Sequence, residues 1–241
     1  MMSQPFFISF LGRSGSTFLV GLLDSHPEIC CEKEVFSISV TKHGPNRSPK
    51  FLSREAAHLE LKRIYEKKCK ASGFKFKYPL QYKFYPDVYE YFLERNDDIK
   101  VIYLYRKNLL KAAISKQNHT RLINLGKSSN LNHENYIKLD QLNLDIDQAI
   151  QYMNRRQSED KKHEREIQVF SHRYTIQYED LYKNTDSVIK KLYNFLEVDT
   201  NYKPLEQTVK ITPDEIQYAI SNYEELVTRF SGTPYEKYLE L

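Results

Sequence analysis

Residues 12–17 read Gly-Arg-Ser-Gly-Ser-Thr, directly after the apolar run Phe6–Leu11. A helix is expected from Ser16 or Thr17, with Phe18, Leu19, Leu22 and Leu23 as its apolar stripe and Ser25, His26 and Pro27 at its end. Strand, glycine loop and helix in that order make an anion cradle. Amide N–H groups at a helix start lack intrahelical partners, and the helix dipole adds a field that favours negative charge. Gly12 and Gly15 let the backbone close around the anion, Ser14, Ser16 and Thr17 offer hydroxyls, and Arg13 adds a rigid fork of donors. A glycine turn feeding a serine cap is the plainer reading of the same six residues. No lysine precedes the Ser-Thr pair, and no acidic strand end stands ready for Mg2+, which weakens ATP or GTP hydrolysis.

Further candidates follow along the chain. Glu34, in CCEKEVF, is placed to act as a general base; desolvation beside Val35 and Phe36 would raise its proton affinity. Glu32 and His26 compete for that role, and His26 is better read as closing the first helix. Lys75 and Lys77 stand at i and i+2 of an expected strand, hence on one face, where they would meet an acceptor or a neighbouring anion. Arg106 follows the buried-strand run IKVIYLY and can grip a phosphate with two parallel hydrogen bonds, or serve a structural ion pair. Tyr178 is either a core tyrosine or an orienting one, and Lys210 precedes the last expected helix.

The segment GRSGSTFLVGLLDSHPEI resembles the first motif of the sulfotransferase family, in the branch acting on carbohydrate-like or small acceptors and including bacterial enzymes. In that family the loop binds the 5′-phosphosulfate end of 3′-phosphoadenylyl sulfate (PAPS). YLYRKNLLKAAIS resembles the second motif, whose arginine and serine bind the 3′-phosphate; they match Arg106 and Ser115. QYEDLYKN is similar to a later element and matches Tyr178, and ITPDEIQYAISNYEEL is similar to a weaker pattern around Asn222 and Tyr223. The resemblance implies transfer of a sulfuryl group to an acceptor hydroxyl, or less readily an amine, releasing 3′,5′-adenosine bisphosphate. Arg13 and the loop amides would meet charge growing on the departing phosphate, with Glu34 as base and no metal. Gly12, Arg13, Ser14, Gly15, Ser16, Thr17, Arg106, Ser115 and Tyr178 are the implied nucleotide contacts. Alternatives are a small-metabolite kinase and a catalytically silent nucleotide-binding protein.

Strands at Phe6–Leu11, GFKFKY, Ile99–Tyr105 and Tyr174–Tyr178 must position these groups. Helices are expected over Ser53–Lys68, Pro86–Glu94, from Asn108 as cap, over much of Ile137–Val169, over Thr185–Glu197, and from Thr212-Pro213 onward. The polar stretches 40–52 and 124–135 read as loops. Alternation of this kind gives an α/β fold: three layers, P-loop-like, with a central mainly parallel sheet flanked by helices. Ligands of such folds gather beyond the carboxyl ends of the strands, so Gly12, Arg106 and Glu179 are expected at one crevice. One domain is expected over residues 1–241, with a mainly helical acceptor or lid insertion around 120–170.

The 241 residues carry a net charge of +4 and no tryptophan to stack on adenine. Lys62, Arg63, Lys67, Lys68, Lys70, Lys75, Lys77 and Lys83 form a basic cluster that could draw an anion, yet no nucleic-acid fold signature accompanies it. Cys30, Cys31 and Cys69 show no metal spacing and are expected as free thiols of a cytoplasmic protein. No apolar run reaches membrane-spanning length, and the N-terminal residues read as a strand rather than a signal peptide. Expected partners are a small-molecule or glycan acceptor and a second copy in a homodimer, with no nucleic acid.

Overall fold

The computed structural model describes residues 3–36, 39–40, 49–50, 52–127, 139–205 and 212–240. Lys210, most of the 40–52 stretch and much of 124–135 lie outside them. In chain order the elements are β1 (Gln4–Phe10), α1 (Ser16–Asp24), β2 (Ile29–Glu32), β3 (Ser39–Val40), β4 (Pro49–Lys50), α2 (Arg54–Tyr65), β5 (Ala71–Lys77), α3 (Leu80–Phe84), α4 (Pro86–Glu94) and β6 (Lys100–Tyr105). There follow α5 (Leu109–Asn124), α6 (Ile146–Gln168), β7 (Arg173–Gln177), α7 (Tyr178–Lys183), α8 (Thr185–Leu196), α9 (Ile216–Ala219), α10 (Tyr223–Phe230) and a 3-10 turn at Glu236–Tyr238. The chain divides into two compact units, Met1–Tyr105 with Lys162–Glu206, and Arg106–Lys161 with Gln207–Leu241.

The first unit holds a five-stranded sheet in the order β2-β5-β1-β6-β7, parallel at every pairing and flanked by helices. β1 is central, and its side chains alternate between two cores as the pleat requires. Phe6, Ile8 and Phe10 pack with Leu19, Leu22 and Leu23 of α1 and Ile189 and Leu192 of α8. Phe7 and Leu11 pack with Leu61, Ile64, Phe74, Phe76 and Phe92. Burial on both faces explains why β1 is almost wholly apolar. Its buried polar residue, Ser9, lies 2.7 Å from the Tyr82 hydroxyl and against His163 Nε2. The His163 ring stacks on Tyr78 at 4.4 Å.

The second unit is helical, with one core of its own. Leu109, Leu110, Ala113 and Ile114 of α5 pack with Ile146, Ala149 and Met153 of α6 and with Ile216, Leu226, Phe230 and Tyr238 from the C-terminal segment. Asn108 caps α5 as expected, its Oδ1 accepting the Lys111 N–H at 2.8 Å.

Four expectations need correction. Thr212 and Pro213 do not start a helix: α9 begins at Ile216, and the Thr212 hydroxyl accepts from Asn118 at 3.4 Å instead. The helix also breaks after four residues, because Ile220 bridges Leu142 in extended pairing and Asn222 clamps the Leu144 peptide through bonds of 2.8 and 3.1 Å. β7 stops at Gln177, so Tyr178 and Glu179 open α7 rather than end a strand. ICCE, not read as a strand, forms the edge strand β2. The free-thiol reading also falls: Cys30 and Cys69 form a disulfide with Cα atoms 6.0 Å apart. Parallel pairing of β2 with β5 sets Cys30 opposite Ser72, which brings Cys69 within reach; spacing in the chain carries no sign of that register. Cys31 stays a free, buried thiol, and burial pushes its pKa well up, which makes it unreactive.

Candidate functional site

The loop between β1 and α1 is built by backbone conformation. Arg13 (φ 67°) and Gly15 (φ 83°) are both left-handed. For arginine this costs about 1–3 kcal/mol, strain that persists only where surrounding structure imposes it. The Ser14 hydroxyl is turned inward, donating to the Leu11 carbonyl and bracing the turn. α1 has no side-chain cap, and its first intrahelical bond runs from the Leu19 N–H to the Gly15 carbonyl at 3.1 Å. Amides at a helix start have no intrahelical acceptor, which makes this position one where an anion can bind.

Gly15 is required by packing as well as by φ. A Cβ there would come within 2.2 Å of the Tyr178 ring. Tyr178 thus packs against the loop from the first turn of α7, its ring stacked in turn on Tyr182 at 6.2 Å. The structure therefore joins Tyr178 to the loop by contact.

Beside the loop stand two lysines of β5. Lys75 is 4% exposed. Its Nζ donates to the Thr17 hydroxyl at 3.2 Å and pairs with the Glu34 carboxylate at 3.3 Å. It also lies 5.5 Å from the centre of the Phe10 ring. Burial holds the Lys75 pKa below its usual 10.5, against the opposing pull of Glu34. Lys77 follows on the same face and lies against Gly12, where a Cβ would meet its Cε at 3.3 Å. The glycine leaves room for that ammonium stem.

Glu34 differs from the desolvated acid expected from Val35 and Phe36. Phe36 is fully buried, but the Glu34 side chain is 38% exposed, and burial falls on Lys75. Glu34 therefore joins the loop through a shared cation: Thr17, Lys75 and Glu34 form one chain of contacts. Glu32 is excluded from this arrangement. Arg63 holds it at 2.7 Å, Lys67 pairs with it too, and despite partial burial these bonds keep its pKa low. His26 is structural. Its Nδ1 accepts the Glu28 N–H at 3.0 Å, its Nε2 donates to the Asp199 carbonyl at 2.9 Å, and the ring contacts Tyr193 and Tyr202.

So the first unit brings together Gly12, Arg13, Gly15, Thr17, Glu34, Lys75, Lys77 and Tyr178. Arg106 and Ser115 belong to the second unit, where Arg106 is 9% exposed and Ser115 lies on α5. The sequence reading missed the Ser9–His163–Tyr82 network; a lone serine inside FFISFL was its only signal. Among the described residues no cluster of His, Cys, Asp and Glu could hold a metal ion, and no helix is long and apolar enough to cross a membrane.

Comparison with solved structures finds similar folds. A sulfotransferase from Alicyclobacillus acidocaldarius is similar at 20% identity and a TM-score of 0.54, over 100% of this chain and 95% of that one. Sulfotransferase STF9 from Mycobacterium avium is similar at 12% identity and a TM-score of 0.45, over 100% and 77%. Mouse sulfotransferase SULT7A1, complexed with PAP, is similar at 20% identity and a TM-score of 0.38, over 82% and 59%. Of these only the first passes a TM-score of 0.5, and at its identity it speaks to the fold alone. A search of curated proteins finds no match. The profile described as "Sulfotransferase family" is matched over residues 5–202, from β1 through the loop, both lysines, α5 and α8, and on that match the chain belongs to the sulfotransferase family.

Proposed function

We propose that the protein transfers the sulfuryl group of PAPS to a hydroxyl of a carbohydrate-like or small-molecule acceptor. The observation that carries this reading is the contact chain Thr17–Lys75–Glu34, which ties an anion loop to a carboxylate. In the proposed step Glu34 takes the acceptor proton as the acceptor oxygen attacks sulfur in line. The S–O bond to the 5′-phosphate breaks, and 3′,5′-adenosine bisphosphate (PAP) leaves. Negative charge grows on the departing phosphate oxygen, where the loop amides, Arg13 and the Lys75 ammonium are suited to receive it. Arg106 and Ser115 are assigned the 3′-phosphate by their match to the second motif. Tyr178 shapes the loop, and Lys77 is a further cation for an acidic acceptor. The lid or acceptor role of residues 120–170 belongs to the same proposal.

Calorimetry without metal tests the nucleotide. PAP is expected to bind more tightly than AMP or ATP; a preference for ATP with Mg2+ would turn the reading toward a kinase. The Glu34→Gln variant tests the base. It should keep its PAP affinity and lose about 10²–10⁴-fold in turnover. A cytoplasmic location is proposed on the condition that Cys30–Cys69 is reduced there, since reducing compartments keep thiols free. Mass analysis of alkylated protein from cells checks this: an intact disulfide places the protein in an oxidising compartment.

A further inference from the structure

We infer that the C-terminal segment is a positioning element for the second motif and acts through Asn108; the inference rests on the reading that Arg106 and Ser115 take the 3′-phosphate. Asn108 is fully buried and makes two directional bonds. Its Oδ1 caps α5 at the Lys111 N–H (2.8 Å), and its Nδ2 donates to the Tyr238 carbonyl (3.2 Å). Tyr238 is 8% exposed and sits on the 3-10 turn near the end of the chain. One side chain thus joins the start of α5 to a turn 130 residues away.

The apolar contacts run the same way. Leu109, Leu110, Ala113 and Ile114 of α5 share their core with Ile216, Ala219, Leu226, Phe230 and Tyr238. The family profile ends at residue 202, so these C-terminal partners lie outside it. Apolar packing fixes that α5 is held, but it is non-directional. The amide of Asn108 fixes how the first turn is rotated. Arg106 leaves the backbone two residues before Asn108, and Ser115 lies two turns beyond it. A small rotation of the first turn moves both, and a binding group held about 1 Å off its place loses much of its value.

The test compares PAP with AMP, which lacks the 3′-phosphate. Affinities are measured by calorimetry for the unaltered chain, Arg106→Ala, Asn108→Ser and a chain ending at Thr233. Serine keeps a capping oxygen but cannot reproduce the amide donation. Asn108→Ser and the shortened chain should each lose about fivefold in PAP affinity, the worth of one buried hydrogen bond, with AMP affinity unchanged. General loosening would move both ligands together. Either variant, once folded, with an unchanged PAP-to-AMP ratio overturns the inference. In the unaltered chain, PAP but not AMP should slow amide exchange at Tyr238 and Leu239, whose N–H groups bond within the turn. Equal exchange with both ligands also overturns it. If Arg106→Ala leaves the ratio intact, the 3′-phosphate reading fails and the inference with it. If Arg106→Ala lowers the ratio and Asn108→Ser does not, only the inference fails.

Discussion

The basic residues between 62 and 83 separate into two populations. On and just after α2, Lys62 pairs with Glu66 (3.8 Å), Arg63 with Glu60 (2.6 Å) and Glu32 (2.7 Å), Lys67 with Glu32, and Lys70 with Glu28. Three of these four cations, Lys62, Arg63 and Lys70, are exposed, and each of the four has its acid. On β5, a few residues later, Lys75 is buried and serves both Thr17 and Glu34, while Lys77 lies along Gly12. Read as one basic cluster, these residues suggest a polyanion surface. Read by element, the helix spends its charge on neighbouring carboxylates, and the strand delivers its charge to the loop. The pleat decides this, because i and i+2 share a face and the parallel pairing of β5 with β1 carries that face to the end of β1.

The largest expected effect comes from removing the buried charge. Lys75→Met keeps most of the apolar stem and deletes the ammonium. Turnover should fall about 10²–10³-fold, the usual range for one preorganised donor at developing charge. Thermal stability should hold or rise, because the partner left behind, Glu34, is 38% exposed and can be hydrated, so no buried charge is stranded. Arg63→Ala, from the other population, should leave turnover alone. Assays of both variants with PAPS and an accepted substrate break the comparison if Lys75→Met keeps activity within about threefold of the parent, below what one such donor supplies.

The next effect is on pH dependence. Burial lowers the Lys75 pKa, so its ammonium is lost at a pH below the usual 10.5. Activity should therefore fall with rising pH below that value. Stability runs the other way. Between the folded and unfolded values of this lysine the unfolded chain binds more protons, so its contribution to stability rises with pH. Opposite slopes for turnover and melting temperature across this window identify Lys75. In Lys75→Arg the alkaline limb should move upward, since a guanidinium stays charged. A limb that persists in Lys75→Arg belongs to another group.

A smaller effect is expected at Gly12. Its φ is not left-handed, and a methyl there meets only the flexible end of Lys77, at 3.3 Å. Gly12→Ala should cost a few-fold in turnover by pushing Lys77 aside, roughly 1 kcal/mol in the barrier. Gly15→Ala is the contrast within the loop, with positive φ and the Tyr178 ring at 2.2 Å. It should cost stability too, by about 2–4 kcal/mol. Equal behaviour of the two alanine variants would mean that Lys77, rather than the loop conformation, dominates.

What was legible in the sequence divides along the same line. β1, the loop and α1 are contiguous, and their pattern of apolar run, glycines and hydroxyls reports local conformation directly. The helix Pro86–Glu94 is legible because proline marks a first turn. The cap at Asn108 was legible for the same local reason. The long-range partners were not. That Lys75 joins Thr17 to Glu34, that Cys30 meets Cys69, and that Asn222 clamps Leu144 all depend on sheet register or chain return, which no local pattern encodes. The α9 start failed for a related reason. Thr212-Pro213 is a good local signal, but the pairing of Ile220 with Leu142 takes the backbone elsewhere.

The smallest effect tests the other half of the comparison. Lys62 and Lys70 are largely exposed, at 67% and 61% of their side chains, and each pairs with one exposed or half-exposed glutamate. In water such pairs gain little, because high dielectric weakens the attraction and ordering two long side chains costs entropy. Lys62→Ala and Lys70→Ala should each leave the melting temperature within about 1–2 °C of the parent and PAP affinity unchanged. Even together they remove two charges whose fields are already cancelled at short range by Glu66 and Glu28. Salt should therefore weaken PAP binding with the same slope in parent and double variant. A shallower slope in the double variant would mean that α2 steers the nucleotide from a distance. The two populations would then act as one electrostatic surface after all.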